Sequence, residues 1–247
     1  MSRVRAAYRS GAFVSLSSVI LAAYEMNRVF VPKALHEPLA DTYCNYLVNR
    51  LLGVFDVRLA VIGEFAHESG ALVVANHQSA LDIAVMLSLF RGVMVSRHDV
   101  ADWPLLGRIA KHGATIFVDR EDSHSGAAAV RAMRRRLRDG RTVVAFPEGG
   151  TFPEDKVHDF QPGAFAAVRS LNVPVVPVGL AYSPAVPYEH ESFARHLARI
   201  AARPSTRVCV RVGEPLSPSL DPRAAATTAR ARVQELVIGA REELDAS

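Results

Sequence analysis

Cysteine is almost absent from this chain of 247 residues: Cys44 and Cys209 stand far apart and belong to no cluster with ligand spacing. That excludes a disulfide framework and a structural zinc site, and it points to a reducing compartment. Neither an internal repeat nor a low-complexity block is present, which argues against a solenoid or a disordered chain. Aromatic residues are sparse, at 7% with one tryptophan. The uncharged N-terminal run from Ser10 to Tyr24 is fifteen residues long, short of the roughly 18 that a spanning helix needs. What is there is an ordinary globular balance, 49% hydrophobic and 22% charged. The length suits one large domain, or one domain with a small appendage.

Net charge is +4, and its distribution is uneven. Residues 1–58 carry Arg3, Arg5, Arg9, Arg28, Lys33, Arg50 and Arg58 against Glu25, Glu37, Asp41 and Asp56, an excess of three positive charges. A basic, apolar leading segment suits an anionic membrane surface. Arginines before an apolar stretch also resemble a secretory signal, but no good A-x-A cleavage site follows. The expectation is an in-plane or monotopic helix from about Val4 to Val31, halted by Pro32. A second helix should run from Pro38 to about Phe55, with Tyr43, Leu47, Leu51 and Val54 along one face. The plainer alternative is a packed hairpin covering a sheet. Residues 1–56 would then be the membrane-associating segment, and 57–247 the main domain.

Beyond residue 56, apolar runs of strand length alternate with helical patterns. Val57–Gly63 alternates like a half-buried edge strand, and Ala71–Ala75 reads as a central one. Further strands are expected over Gly92–Ser96, Thr115–Val118, Thr142–Phe146, Val173–Tyr182 and Arg207–Val212. The sixth should be irregular at its start, because Pro174 and Pro177 cannot donate to a ladder. Helices are expected over Ser79–Phe90, Leu105–His112, Ser123–Asp139, Gly163–Leu171 and from Pro222 onwards. This alternation implies an α/β fold, a mainly parallel sheet flanked by helices. The helix from Ser123 carries Arg131, Arg134, Arg135, Arg136 and Arg138. With no aromatic platform beside them, they read as a solvated face or an anionic-lipid contact rather than a nucleic-acid site.

Chemistry concentrates where strands end. Val73-Val74-Ala75 runs into Asn76-His77, and Asp82 follows five residues after the histidine. In open α/β sheets, ligands meet side chains at the C-terminal edge of the strands. A histidine there, with a carboxylate to orient it, can take a proton from an alcohol near neutral pH. Ser79-Ala80-Leu81-Asp82 also fits a capping box, in which Asp82 only satisfies backbone amides. Asp119-Arg120 and Glu148-Gly149-Gly150-Thr151 close two further strands. Gly149 and Gly150 would let backbone amides approach a ligand. A base, a fixed cation and a carboxylate beside two glycines suit an anionic or polar alcohol. No metal is expected, since neither His77 with Asp82 nor His98 with Asp102 has a third ligand. His36, His67, His112, His124, His158, His190 and His196 read as surface or packing residues.

In their order these motifs resemble the glycerolipid acyltransferase family typified by 1-acylglycerol-3-phosphate acyltransferases. Asn76–Asp82 matches its NHxxxxD block, Ile116–Arg120 (IFVDR) its second, Phe146–Gly149 (FPEG) its third and Val173–Leu180 its fourth. The resemblance implies transfer of a fatty acyl group from acyl-coenzyme A or acyl carrier protein to the free hydroxyl of a lysolipid. The simplest such reaction converts 1-acylglycerol-3-phosphate to phosphatidic acid, at the cytoplasmic face of the cell membrane. By the same resemblance His77 is the general base and Asp82 its partner. Asn76, Phe117, Arg120, Glu148, Gly149, Gly150 and Thr151 would contact the acceptor. No cofactor beyond the thioester donor is implied, nor any nucleic-acid partner, and the oligomeric state is left open. Transfer would be direct, since no G-x-S-x-G or activated nucleophile is found.

Three departures bear on the acceptor. Ala114 stands where the second block usually opens with glycine. After Gly149 the chain runs Gly150-Thr151-Phe152, without the usual cation, and Gln161 replaces a common lysine. Two cations suited to a phosphate are therefore missing, although Lys156 could substitute. A buried phosphate monoester facing one arginine is under-compensated. A less anionic acceptor, such as a lyso-ornithine lipid, is the alternative. Readings of another class are a thioesterase, with water as acceptor, and a non-catalytic membrane-binding module in which Asp82 is merely a cap.

Overall fold

The computed structural model describes residues 2–65, 70–119, 121–189, 191–217 and 221–246. Helix α1 (Ser2–Phe30) buries Ser17, Ile20, Leu21 and Tyr24, the i, i+3, i+4, i+7 stripe of a one-sided helix. Behind Pro32, a 3-10 turn (Lys33–Leu35) leads into α2 (His36–Val54). The buried positions of α2 are Ala40, Leu47, Val48 and Leu52. Of the face expected from spacing, only Leu47 is fully buried. The stripe is rotated because α2 packs against both α1 and the helix α3 (Leu81–Phe90).

Seven strands follow: β1 (Val57–Ile62), β2 (Leu72–Ala75), β3 (Val93–Arg97), β4 (Ile116–Val118), β5 (Val143–Ala145), β6 (Val175–Tyr182) and β7 (Thr206–Val212). The remaining helices are α4 (Leu106–His112), α5 (Ser123–Arg138), α6 (Gly163–Val168), α7 (Phe193–Ala202) and α8 (Pro222–Ala246). The sheet order is β1-β7-β6-β2-β5-β3-β4. Every neighbouring pair is parallel except β6–β7. The C-terminal ends of β6, β2, β5, β3 and β4 therefore share one edge. Both β2 and β6 are buried along their whole length, as expected of central strands covered on two faces. Successive residues of β2 feed opposite cores. Val73 and Ala75 pack with Leu52, Phe55 and α3, whereas Leu72 and Val74 pack with α5, α6 and α8.

The two prolines near β6 act as acceptors. Leu72 N–H donates to Pro174 O at 3.0 Å, and Gly213 N–H to Pro177 O at 2.9 Å. Regular pairing accordingly begins at Val175, two residues later than the apolar run. Helix α8 lies so close on β6 that a Cβ at Gly179 would fall 2.5 Å from the Val237 nitrogen. Helix α6 stops at Val168 rather than Leu171, and Ser170 just beyond it takes a left-handed φ of 60°. Helix α7 has no counterpart in the sequence expectation. It is capped by the Ser192 side chain and buries His196, Ile200 and Ala201.

The outer face of α1 leaves Val4, Tyr8, Val14, Val19, Met26, Val29 and Phe30 exposed. Its inner face packs on α2 and α7, and Arg9 donates to the carbonyls of Arg203 and Pro204 just past α7. At 29 residues, α1 spans about 43 Å. Among the described residues it is the one helix long and apolar enough to cross a membrane by length and composition. The whole helix thus exceeds what its fifteen-residue uncharged run suggests, and it points to membrane association.

Candidate functional site

Strand β2 delivers Asn76 and His77 to the common edge. Asn76 is buried and stitched to β6, its Nδ2 donating to Leu180 O at 2.9 Å and its Oδ1 accepting from Leu180 N–H at 2.8 Å. His77 Nδ1 lies 2.7 Å from Asp82 Oδ2. The same oxygen accepts from the backbone N–H groups of Gln78 (2.7 Å) and Ser79 (2.9 Å). The bond to Ser79 N–H is that of a capping box, so one carboxylate serves as both helix cap and histidine partner.

Asp82 is fully buried, and its other oxygen accepts from the Tyr182 hydroxyl at 2.5 Å. Four donors thus surround the two oxygens of one buried carboxyl group, which satisfies its polar atoms away from water. Tyr182 pays for the arrangement with its acidity: burial, then the Asp82 charge and hydrogen bond, push its hydroxyl well above the ordinary tyrosine range. A carboxylate only accepts, so Nδ1 of His77 is the donor of this bond. The His77 side chain is 18% exposed and stacks on Phe146, with ring centres 4.2 Å apart and planes 12° apart.

The loop after β5 closes over this turn. Glu148 Oε2 accepts from His77 N–H at 2.6 Å, and Oε1 from His158 N–H at 2.9 Å. Burial raises the Glu148 carboxyl to about 7, although the two N–H donors and His77 work to lower it. Phe152 N–H donates to His77 O at 2.8 Å. Gly149 has φ of 80°, a left-handed turn that suits glycine, and a Cβ on Gly150 would meet the Phe152 ring at 3.0 Å. Thr151 is half-buried between them. Glu148 is therefore beside the histidine, with both oxygens engaged by backbone amides.

The described part of the second motif block, residues 116–119, lies farther along the sheet. Phe117 is half-buried in β4, three strand positions from β2, about 14 Å by strand spacing. Asp119 at its end faces His98, Nδ1 to Oδ2 3.7 Å, rather than the dyad. Arg120, His67 and His190 lie outside the described residues. Lys156 is exposed. Among the described residues, no group of three or more His, Cys, Asp or Glu is placed to hold a metal ion. Sequence reasoning missed Tyr182, which sits at the end of an apolar run that gave no polar signal. It also left His196 among the packing residues.

Fold and site together define an α/β protein with a histidine–aspartate pair at the C-terminal edge of a mostly parallel sheet. Residues 58–181, which contain all four motif blocks, match the Acyltransferase family, and the chain belongs to it. A lyso-ornithine lipid O-acyltransferase of Pseudomonas aeruginosa is 30% identical over 184 residues, 74% of this chain and 70% of that one. One of Rhizobium meliloti is 38% identical over 132 residues, 53% of this chain and under half, 44%, of the relative. A 1-acyl-sn-glycerol-3-phosphate acyltransferase of Neisseria gonorrhoeae is 29% identical over 116 residues, 47% of this chain and 46% of that one. The crystal structure of the 1-acyl-sn-glycerophosphate acyltransferase of Thermotoga maritima shares the fold. Its TM-score is 0.76 at 20% identity, with 100% of this chain and 99% of that one covered.

Proposed function

We propose that this chain is a lysolipid O-acyltransferase that moves a fatty acyl group directly from a thioester to a lipid hydroxyl. The observation that carries the reading is the 2.7 Å bond from His77 Nδ1 to the buried Asp82, which leaves Nε2 as a free base. Nε2 takes the hydroxyl proton as the acceptor oxygen bonds to the thioester carbonyl carbon. The tetrahedral intermediate then expels the thiolate, which recovers the proton from the imidazolium and departs as thiol. No acyl-enzyme is needed. Ser79, the nearest hydroxyl in the turn, is fully buried and directed to His196. A positioned base contributes about 10²–10⁴ in rate, and alignment of the two substrates supplies much of the remainder.

The acceptor of this reading has a head less anionic than a phosphate monoester, as in a lyso-ornithine lipid. Gly150-Thr151-Phe152 and Gln161 supply no cation, and relatives at 38% and 30% identity carry that name. 1-Acylglycerol-3-phosphate is the second reading, favoured by the Arg120 block and the Neisseria relative. Acyl-coenzyme A or acyl carrier protein would be the donor. The exposed apolar face of α1 would lie against the cytoplasmic leaflet.

Purified full-length protein in liposomes, given both donors and a panel of lysolipids, tests these points. Acylated lipid should form, with lyso-ornithine lipid preferred over lysophosphatidic acid. Preference for the phosphate substrate would reverse the choice of acceptor. Free fatty acid released without dependence on any acceptor would replace transfer by thioester hydrolysis.

A further inference from the structure

His196 lies on α7, beyond the matched residues 58–181, and is fully buried. Its Nε2 stands 3.2 Å from Ala80 N and 3.0 Å from Ser79 Oγ. A backbone N–H can only donate, so Nε2 is the acceptor and the ring proton sits on Nδ1, 3.1 Å from Glu191 Oε1. Arg199 binds the same carboxylate oxygen at 3.0 and 2.5 Å. Tyr188 stacks on the His196 ring at 4.0 Å and donates its own N–H to Gln78 O at 2.8 Å. Tyr188 and His196 therefore grip Gln78, Ser79 and Ala80, three of the four residues that join His77 to Asp82.

Ser79, His196 and Glu191 are linked in the order of a nucleophilic triad, but the geometry serves a different end. Ser79 has no exposed surface, and its Oγ accepts from Leu81 N–H at 3.2 Å while its hydroxyl proton turns to His196. What this arrangement does is hold a turn. Asp82 Oδ2 reaches His77, Gln78 N–H and Ser79 N–H together, so any rotation of the turn moves the carboxylate off the imidazole. A misplacement of about 1 Å costs on the order of 10² in rate.

We propose that His196 is a positioning residue for the His77–Asp82 pair, fixing the Ser79–Ala80 turn from behind through its Nε2 acceptor. The inference rests on the reading of His77 as general base. Burial supports it by keeping the ring neutral, its pKa lowered against the pull of Glu191.

The test compares wild type, H77A, H196A and H196Q at full length in liposomes. It reads kcat, both KM values, the folded fraction and the ¹H resonance of the His77 Nδ1–H bonded to Asp82. H196A should lower kcat per folded molecule by about 10- to 100-fold, leave each KM within about twofold, and shift or broaden that resonance. H196Q should recover most of the loss, because its side-chain carbonyl can accept from Ala80 N–H. Wild-type kcat per folded molecule in H196A, or an unmoved resonance, overturns the proposal. Should H196A fail to fold, Ser79→Ala, which removes one of the two donors to Nε2, replaces it. A kcat at least about threefold lower is then expected, and an unchanged kcat overturns the proposal. An active H77A would remove the base reading itself. An inactive H77A beside an unaffected H196A removes only this inference.

Discussion

Two histidines flank one short turn. His77 stands in front with its side chain 18% exposed, while His196 stands behind with none. Each has a carboxylate on Nδ1, Asp82 for the first and Glu191 for the second. Their Nε2 atoms differ: that of His196 is occupied by Ser79 and Ala80, whereas among the described residues only Nδ1 of the His77 ring is hydrogen-bonded. In the proposed function, the same side chain with the same kind of partner is a base where Nε2 is left over. Where the lone pair is already used, it is a brace. Chemistry follows from which nitrogen is left over, more than from the residue type.

Exchange of the front histidine should have the largest effect. His77→Ala should lower kcat/KM by two orders of magnitude or more while the protein stays folded, measured by acyl transfer in liposomes. A loss below tenfold would erase the distinction between the two histidines. Tyr182→Phe should come next, because it withdraws one of four donors from the buried Asp82 carboxylate. A cost of about 2 kcal/mol in chemical unfolding is expected, and a variant as stable as wild type would show the donor to be dispensable.

The response to pH should separate the regions further. A buried His196 held below its ordinary pKa binds fewer protons folded than unfolded. Its contribution to stability is complete above about 6.5 and falls as pH drops through that value towards the lowered one. Glu148 has the opposite sign. Raised to about 7 from 4.5, it binds more protons folded than unfolded, so its contribution is complete below about 4.5 and is lost as pH rises through 7. The change is on the order of 3 kcal/mol. Unfolding of wild type, H196Q and E148Q at pH 5 to 8 reads both. The gap between wild type and E148Q should shrink with rising pH, and the gap between wild type and H196Q should shrink as pH falls below 6.5. Parallel curves would refute the assignment.

The smallest effect is expected far from the turn. Ala114, where the family usually has glycine, adopts φ of 56°. Ala114→Gly should relieve that left-handed strain and stabilise the fold by about 0.5–1 kcal/mol with unchanged activity. Destabilisation on thermal unfolding would show that the alanine methyl packs usefully.

Most of the sheet was legible because strand and helix periods are local. The alternation of Val57–Ile62 marked an edge strand, and the unbroken apolar run at β2 marked a buried one. Helix α7 was not legible, because its span Phe193–Ala202 mixes two arginines and a histidine with short apolar residues after a loop that holds Pro184 and Pro187. The face of α2 was misjudged because packing against two helices widens and turns the buried stripe. The dyad was legible because His77 and Asp82 belong to one turn, where five residues of chain bring them together.

By itself the amino-acid sequence determined what depends on near neighbours: strands, most helices, and a histidine and aspartate paired across a helix start. Only the tertiary structure decided which distant groups complete that pair. Glu148 reaches the His77 amide across 71 residues of chain, Tyr182 reaches Asp82 across 100, and His196 reaches Ser79 across 117. Such contacts are created by strand order and by the docking of α7; the Phe146–Gly149 motif marked Glu148 for the site but not its bond to the His77 amide, and nothing marked Tyr182 or His196.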